Sequence, residues 1–152
     1  MWDTSRVTRM ENLFEGQTEF NEDISSWDVS SVICMAGMFC GAFSFNQPIN
    51  QWNVSNVSSM VLMFAHASAF NQSLNNWDVG KVRNMAGMFA NAIAFNQPIG
   101  NWQVRHVRNM CRMFRGAVAF NQPIRNWHIM RSCIITEMFE GAESFQQSSI
   151  IT

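Results

Sequence analysis

Hydrophobic residues recur along the chain at a fixed interval. Tryptophan begins every repeat, at Trp2, Trp27, Trp52, Trp77, Trp102 and Trp127, which sets the period at 25. With tryptophan as position 1, phenylalanine fills positions 13 and 19 of all six repeats, and methionine fills positions 9 and 12 of most. Such a period is typical of proteins in which each unit buries its apolar face against its neighbours. We therefore expect one repeat domain over residues 1–152.

Within each repeat, the apolar spacing predicts a helix. In the third repeat Val57, Met60, Met63, Phe64 and Ala67 follow one another at intervals that place them on one side of a helix. Position 15 then carries glycine, asparagine or histidine, which tolerate the left-handed backbone at a helix C-terminus. We therefore expect a helix at positions 5–14 of every repeat.

A short strand is predicted at positions 1–3. Trp52, Asn53 and Val54 alternate between apolar and polar, as the two faces of a strand do. Stacking one such strand per repeat predicts a parallel sheet with strands about 4.8 Å apart. The predicted fold class is therefore an α/β solenoid of six repeats, each with a short parallel strand and a helix.

A column of asparagines occupies position 20, within the recurring sequence Phe-Asn-Gln. Its members are Asn21, Asn46, Asn71, Asn96 and Asn121. An amide side chain both donates and accepts, so we expect each asparagine to satisfy backbone groups of its bend and of the next coil. Five equivalent copies favour this structural role over catalysis, which needs one convergent site.

These columns resemble the repeat of BspA-like surface proteins, a repeat also described from mycoplasma lipoproteins. The motif is present as Trp-Asp-Val-Ser-Ser-Val at 27–32, Met-Ala-Gly-Met-Phe at 85–89 and Ala-Phe-Asn-Gln at 119–122. The resemblance extends over residues 2–150. It implies a leucine-rich-repeat-like fold and a cell-surface or secreted protein that acts in adhesion and protein binding, with no enzymatic activity.

The sixth repeat departs from the pattern. Ser132 stands where the other repeats have valine, Gln146 replaces the ladder asparagine, and Ser149 replaces a core isoleucine or leucine. An open end of stacked repeats exposes core side chains and unpaired backbone groups. We therefore expect the ends to contact flanking domains or other subunits.

Composition and charge exclude several partners. Charged residues make up 14% of the chain and the net charge is −1, so nucleic acid is not an expected partner. No apolar run approaches the ~18 residues that a membrane span needs. The N-terminus also lacks the basic-then-apolar order of a signal peptide. We predict neither membrane insertion by this segment nor a targeting signal within it.

The residues that most often carry chemistry do not converge. His66, His106 and His128 occupy unrelated repeat positions. The four cysteines form no column either, and we interpret them as free thiols. Positions 111 and 133 lie on adjacent predicted helices, so a disulfide between them stays open. The cysteines are Cys34, Cys40, Cys111 and Cys133. We therefore predict no enzyme activity, no metal site and no cofactor.

Two recurrent residue types allow a second interpretation. Thioether sulfur binds soft metals, but the methionines share the apolar stripe with valine and phenylalanine, which favours core packing. The tryptophans are able to form a carbohydrate-stacking row, but their alternation with valine favours burial.

Position 2 is the best candidate for a binding surface. We expect it to point outward between buried tryptophan and valine, flanked by the polar residues Gln51, Asn76, Asn101 and Asn126. A shallow row of varied polar side chains suits proteins and extended glycans. The predicted function is a noncatalytic protein- or glycan-binding repeat domain of a surface or secreted protein. The predicted binding column is Asp28, Asn53, Asp78, Gln103 and His128.

Charge differs between repeats and suggests an alternative function. Residues 1–25 carry six acids and two bases, whereas residues 101–125 carry five arginines and no acid. Four arginines spaced 3, 4 and 3 apart predict an exposed stripe on the fifth helix, either solvated or docking an acidic partner. The alternative function is a structural scaffold subunit that docks through its ends and this stripe. The stripe consists of Arg105, Arg108, Arg112 and Arg115.

Overall fold

A computed structural model describes residues 2–146 as a stack of six coils, one for each repeat. Isolated parallel bridges join position 8 of each coil to the same position of the next. Within residues 2–146 there is no helix and no strand longer than these single-residue bridges. The bridged residues are Arg9, Cys34, Ser59, Asn84, Asn109 and Ile134.

Overlapping β-turns form positions 9–16 of each coil. The amides at positions 14 and 16 of every coil, and at position 12 of the second to sixth coils, donate to the carbonyl three positions earlier, as from Met38 to Met35 at 3.2 Å. Positions 11 and 15 have φ between 55° and 72° in all six coils. A positive φ at the third residue is the mark of a type II turn. The segment is therefore a ribbon of turns.

The predicted α/β solenoid of the leucine-rich-repeat type is wrong, because the predicted helix does not form. A left-handed residue at position 11, such as Gly37 with φ of 65°, interrupts any right-handed helix over positions 5–14. The Gly37 amide donates to Val61 of the next coil at 2.7 Å, and not to a residue four positions back. Backbone amides that would form i to i−4 hydrogen bonds in a helix therefore donate to the neighbouring coil instead.

The predicted strand at positions 1–3 is also wrong. Trp52 and Val54 are buried and Asn53 is exposed, so the expected alternation of burial is present. Within residues 2–146, however, no backbone hydrogen bond pairs these positions of one coil with the same positions of the next. The alternation reflects a single extended stretch between two turns, and the parallel pairing lies at position 8.

The predicted core of phenylalanine and methionine columns is confirmed. Phe64 is fully buried and stacks on Phe39 and Phe89 of the adjacent coils, with ring centroids 5.5 and 5.6 Å apart. The position-9 and position-12 methionines of coils two to five are 0% exposed. They fill the interior of the stack, as flexible thioether side chains do in other cores.

The predicted burial of tryptophan is confirmed in four coils. Trp52, Trp77, Trp102 and Trp127 are at most 6% exposed. Each donates its indole N–H to the carbonyl at position 23 of an earlier coil, at 3.0–3.2 Å. Trp2 in the first coil differs, since it is 79% exposed. The inner tryptophans therefore satisfy their only polar group inside the core.

The sixth coil turns one residue later than the others. In the fifth coil the Val107 amide, at position 6, donates to the Val104 carbonyl at 2.9 Å. In the sixth coil the equivalent bond runs from the Cys133 amide, at position 7, to the Met130 carbonyl at 2.8 Å. Cys133 is consequently buried where the other coils have valine, and Ser132 is exposed. The replaced core residue Ser149 lies outside the described residues.

Candidate binding surface

The position-20 asparagines lie at the surface as a hydrogen-bonded ladder. Asn71 Oδ1 accepts from the Asn96 amide at 2.9 Å and from Gln97 Nε2 at 3.1 Å. The same amide contact, at 2.9 Å, joins the other neighbouring asparagines from 21 to 121. Each side chain thereby holds the bend of the following coil in register.

Removing one rung tests this arrangement. Asn71→Ala is expected to lower the free energy of unfolding by about 1 kcal/mol, because the Asn96 amide loses its acceptor and water replaces it only in part. Asn71→Asp keeps an acceptor at the same place and should lose clearly less. Equilibrium denaturant unfolding of both variants measures the difference, and equal losses would show that the acceptor is not responsible.

The predicted position-2 column is exposed in every coil from the second to the sixth. Its acidic and asparagine members also have a local structural role that the sequence analysis missed. Asp28 Oδ1 accepts from the Ser30 amide at 2.9 Å and from the Ser30 hydroxyl at 2.6 Å. Asn53 makes the same pair of contacts with Ser55. These contacts are Asx turns. In the sequence, such a turn is indicated by Asp or Asn with Ser or Gly two residues later.

These contacts also affect ionisation. The hydrogen bond from the Ser30 hydroxyl, followed by that from its backbone amide, lowers the pKa of the Asp28 carboxyl. Gln103 has a longer side chain and donates instead to the Asn101 carbonyl at 3.3 Å. The column is therefore not uniform: Asp28, Asn53 and Asp78 accept from the amide two residues later, whereas Gln103 donates to the carbonyl two residues earlier.

A shallow polar groove of about 600 Å³ opens on this face between the second and fifth coils. It includes two predicted column members, Asp78 and Gln103, while Asp28, Asn53 and His128 do not line it. Three of the four predicted flanking residues also line it, Asn126 being the exception. The lining of this polar groove is Gln51, Asn75, Asn76, Trp77, Asp78, Val79, Asn101 and Gln103.

Hydrogen bonds between coils hold the groove walls. Asn101 Nδ2 donates to the Asn75 carbonyl at 2.9 Å, and the Asn76 amide donates to Asn50 Oδ1 at 3.0 Å. Asp78 accepts from the Gly80 amide through Oδ1 at 3.0 Å. The groove thus presents amides that donate and accept beside one carboxylate, over buried tryptophan.

The cysteines and histidines lie elsewhere. Cys34 and Cys133 are buried, Cys40 and Cys111 are half-buried, and all four are free thiols, so the 111–133 disulfide does not form. Burial raises the pKa of the Cys133 thiol. In the part of the chain that the structure describes, no three His, Cys, Asp or Glu side chains are placed to hold a metal ion.

The predicted arginine stripe is divided in two, which corrects the single helical face. Arg112 pairs with Glu137, and Arg115 lies 3.2 Å from Glu140 and 3.7 Å from Glu137. The Arg112 hydrogen bond lowers the pKa of the Glu137 carboxyl. Arg105 and Arg108 belong instead to a second groove. The division arises because the carboxylates come from the next coil of the stack.

These features define a repeat protein of stacked turn coils, one for each repeat, with a polar groove on one side. The chain belongs to a family described as Mycoplasma protein of unknown function, DUF285, which it matches over residues 1–92 and again over 62–151. The two overlapping matches fit the repeated sequence. No curated protein matches the chain. No solved structure matches it either. Between residues 2 and 146, no helix is long and apolar enough to cross a membrane.

Proposed function

We propose that this domain is a noncatalytic binding module that holds an extended protein or glycan segment in the polar groove. The observation that carries the proposal is the lining of that groove. Asp78, Asn101 and Gln103 bring a carboxylate and two amides to one shallow surface of about 600 Å³. Such a volume is typical of ligand sites, and amides with a carboxylate can bond hydroxyl groups or peptide backbone.

The form of the groove favours an extended ligand. Its lining comes from four successive coils, so a ligand lying along the stack meets a new polar side chain at each coil. Asp78 uses Oδ1 for its own turn, which leaves its second oxygen for a partner. The resemblance of the tryptophan, Met-Phe and Phe-Asn-Gln columns to BspA-like repeats supports a surface or secreted location for such a module.

Binding assays on groove variants test this function. We expect wild-type protein to bind members of an array of neutral oligosaccharides or of a synthetic peptide library. The triple variant Asp78→Ala, Asn101→Ala, Gln103→Ala should lose at least tenfold in affinity, because each change removes a polar contact worth about 0.5–1.5 kcal/mol. Asp3→Ala is the matched control, since Asp3 accepts from the amide two residues later, as Asp78 does, but lies outside the groove. Unchanged binding by the triple variant would contradict the proposal.

A second candidate function is a structural subunit that docks through its first coil, and the apolar surface there favours it. Trp2 and Leu13 are 79% and 45% exposed beside a depression of about 530 Å³. Within residues 2–146, the backbone carbonyls of residues 9, 11, 13 and 15 accept no hydrogen bond, whereas the corresponding carbonyls of each later coil accept from backbone amides of the coil before it. Another coil of the same type would supply the amides that match these four carbonyls.

The two functions give different results in native mass spectrometry. Docking through the first coil predicts multimers of the wild-type protein that are lost in Leu13→Glu and kept in the polar-groove triple variant. A wild-type protein that is monomeric at all protein concentrations would contradict the structural function. The binding assay on the polar-groove variants would then be the remaining test of function.

A further inference from the structure

A second groove, of about 250 Å³, collects basic side chains from the fourth and fifth coils. We name it the basic groove. It shares no residue with the polar groove, so its function is independent of that site. Its lining is Arg83, Arg105, His106, Val107, Arg108, Met130 and Ser132.

The stacking of the coils places like charges next to one another. Arg83 and Arg108 occupy position 7 of adjacent coils, and the Arg108 amide donates to the Arg83 carbonyl at 2.8 Å. Their side chains therefore leave the backbone from directly adjoining points. Arg105 lines the same groove, and its Nε lies 3.2 Å from His106 Nε2. Three arginines thus line one small groove, which raises the local positive potential.

Among the described residues, no carboxylate balances these charges. In the described part of the chain, Arg83, Arg105 and Arg108 have no carboxylate oxygen within 4.0 Å. Arg112 and Arg115, by contrast, are paired with Glu137 and Glu140. Repulsion among unpaired guanidinium groups disfavours their juxtaposition, and a bound anion would remove that cost.

The irregular sixth coil supplies the remaining wall. Its turn is delayed by one residue, so Cys133 enters the core and Ser132 stays at the surface. Ser132 and Met130 then line the groove together with the arginines. The position that looks degenerate in the sequence thereby adds a hydroxyl donor to a cationic groove.

We propose that the basic groove binds a tetrahedral oxyanion, the sulfate or phosphate group of an ester. Guanidinium groups match the oxygen geometry of such anions and form charge-assisted hydrogen bonds to them, often two at a time. The volume of about 250 Å³ is large enough to admit a group of this size. The Ser132 hydroxyl donates a further hydrogen bond to a free oxygen of the anion.

Calorimetric titration with methyl sulfate and with methyl phosphate, at an ionic strength fixed by sodium chloride, tests the proposal. We expect saturable binding of at least one ester by the wild-type protein. The double variant Arg105→Gln, Arg108→Gln should bind at least tenfold more weakly. Arg112→Gln is the matched control and should change affinity less than twofold, because Arg112 pairs with Glu137 outside the groove. Thermal unfolding of each variant verifies that it is folded.

The outcomes are distinct. Tighter binding of methyl sulfate assigns the groove to sulfate esters, and tighter binding of methyl phosphate assigns it to phosphate esters; both support the proposal. Binding of neither ester, or equal binding by the double variant and wild type, overturns it. If the double variant does not fold, Arg83→Gln replaces it with the same expectation of weaker binding. The polar-groove triple variant should bind the esters as wild type does, which separates this site from the proposed function.

Discussion

Phe64→Ala is expected to lower the free energy of unfolding by roughly 3–5 kcal/mol. The Phe64 ring is 0% exposed and lies 4.1 Å from the Phe70 ring and 6.2 Å from the Trp77 ring, measured between centroids. It also has a stacked phenylalanine in the coil on either side. Removing it leaves a cavity that a stack hydrogen-bonded from both sides cannot collapse to fill.

Phe43 provides the matched control for this truncation. Its side chain is 49% exposed at position 17, so Phe43→Ala removes the same atoms from a place that is already partly in water. We expect it to cost less than about 1.5 kcal/mol, since only part of the apolar surface is buried. Equilibrium unfolding in urea measures both variants. A loss below about 1 kcal/mol for Phe64→Ala, well under the cost of truncating a buried aromatic, would show that position 13 is not part of the core.

Gly87→Val is expected to destabilise the protein by about 2–3 kcal/mol, because position 11 demands a backbone that β-branched residues avoid. Gly87 has φ of 60°, and a Cβ added there would lie 2.6 Å from Leu62 Cδ2 of the preceding coil. A helix at this position predicts the opposite sign, since valine has a higher helix propensity than glycine. The substitution therefore discriminates between a turn ribbon and a helix.

Leu62→Gly is the reciprocal test at the same repeat position. Leu62 has φ of 55° and a side chain that is 43% exposed, so Leu62→Ala and Leu62→Gly both lose the same partly buried atoms beyond Cβ. We expect Leu62→Gly to be more stable than Leu62→Ala by about 1 kcal/mol, whereas in a helix glycine would be about 1 kcal/mol less stable than alanine. Thermal and urea unfolding of Gly87→Val and of this Leu62 pair give two signs. If both signs agreed with helix propensity, the turn ribbon would be refuted.

Part of the candidate binding surface could be predicted from the sequence, because it depends on the repeat. Trp77 and Val79 flank Asp78, and their alternation was enough to place Asp78 outward. The Asx contact to Gly80 also depends on local sequence, since glycine stands two residues after Asp78. That Asp78 and Gln103 share a groove, while Asn53 does not, depends on contacts between loops such as that of Asn101 with the Asn75 carbonyl.

The repeat period, the core columns and the outward direction of position 2 follow from the sequence alone, because burial depends on side-chain type and a period of 25 is visible in one dimension. Whether positions 9–16 form a helix or turns was decided only by the tertiary structure. Both conformations bury Met60, Met63 and Phe64 on one side, so the apolar pattern is the same for each. The difference lies in the amides, which donate to carbonyls of the next coil, as from Leu62 to Ala86 at 2.9 Å.

The same distant contacts divide the arginines, since Arg112 meets Glu137 of the next coil while Arg108 meets no carboxylate in the described residues. A local pattern contains no information on such partners, which only the stacking of the coils brings together.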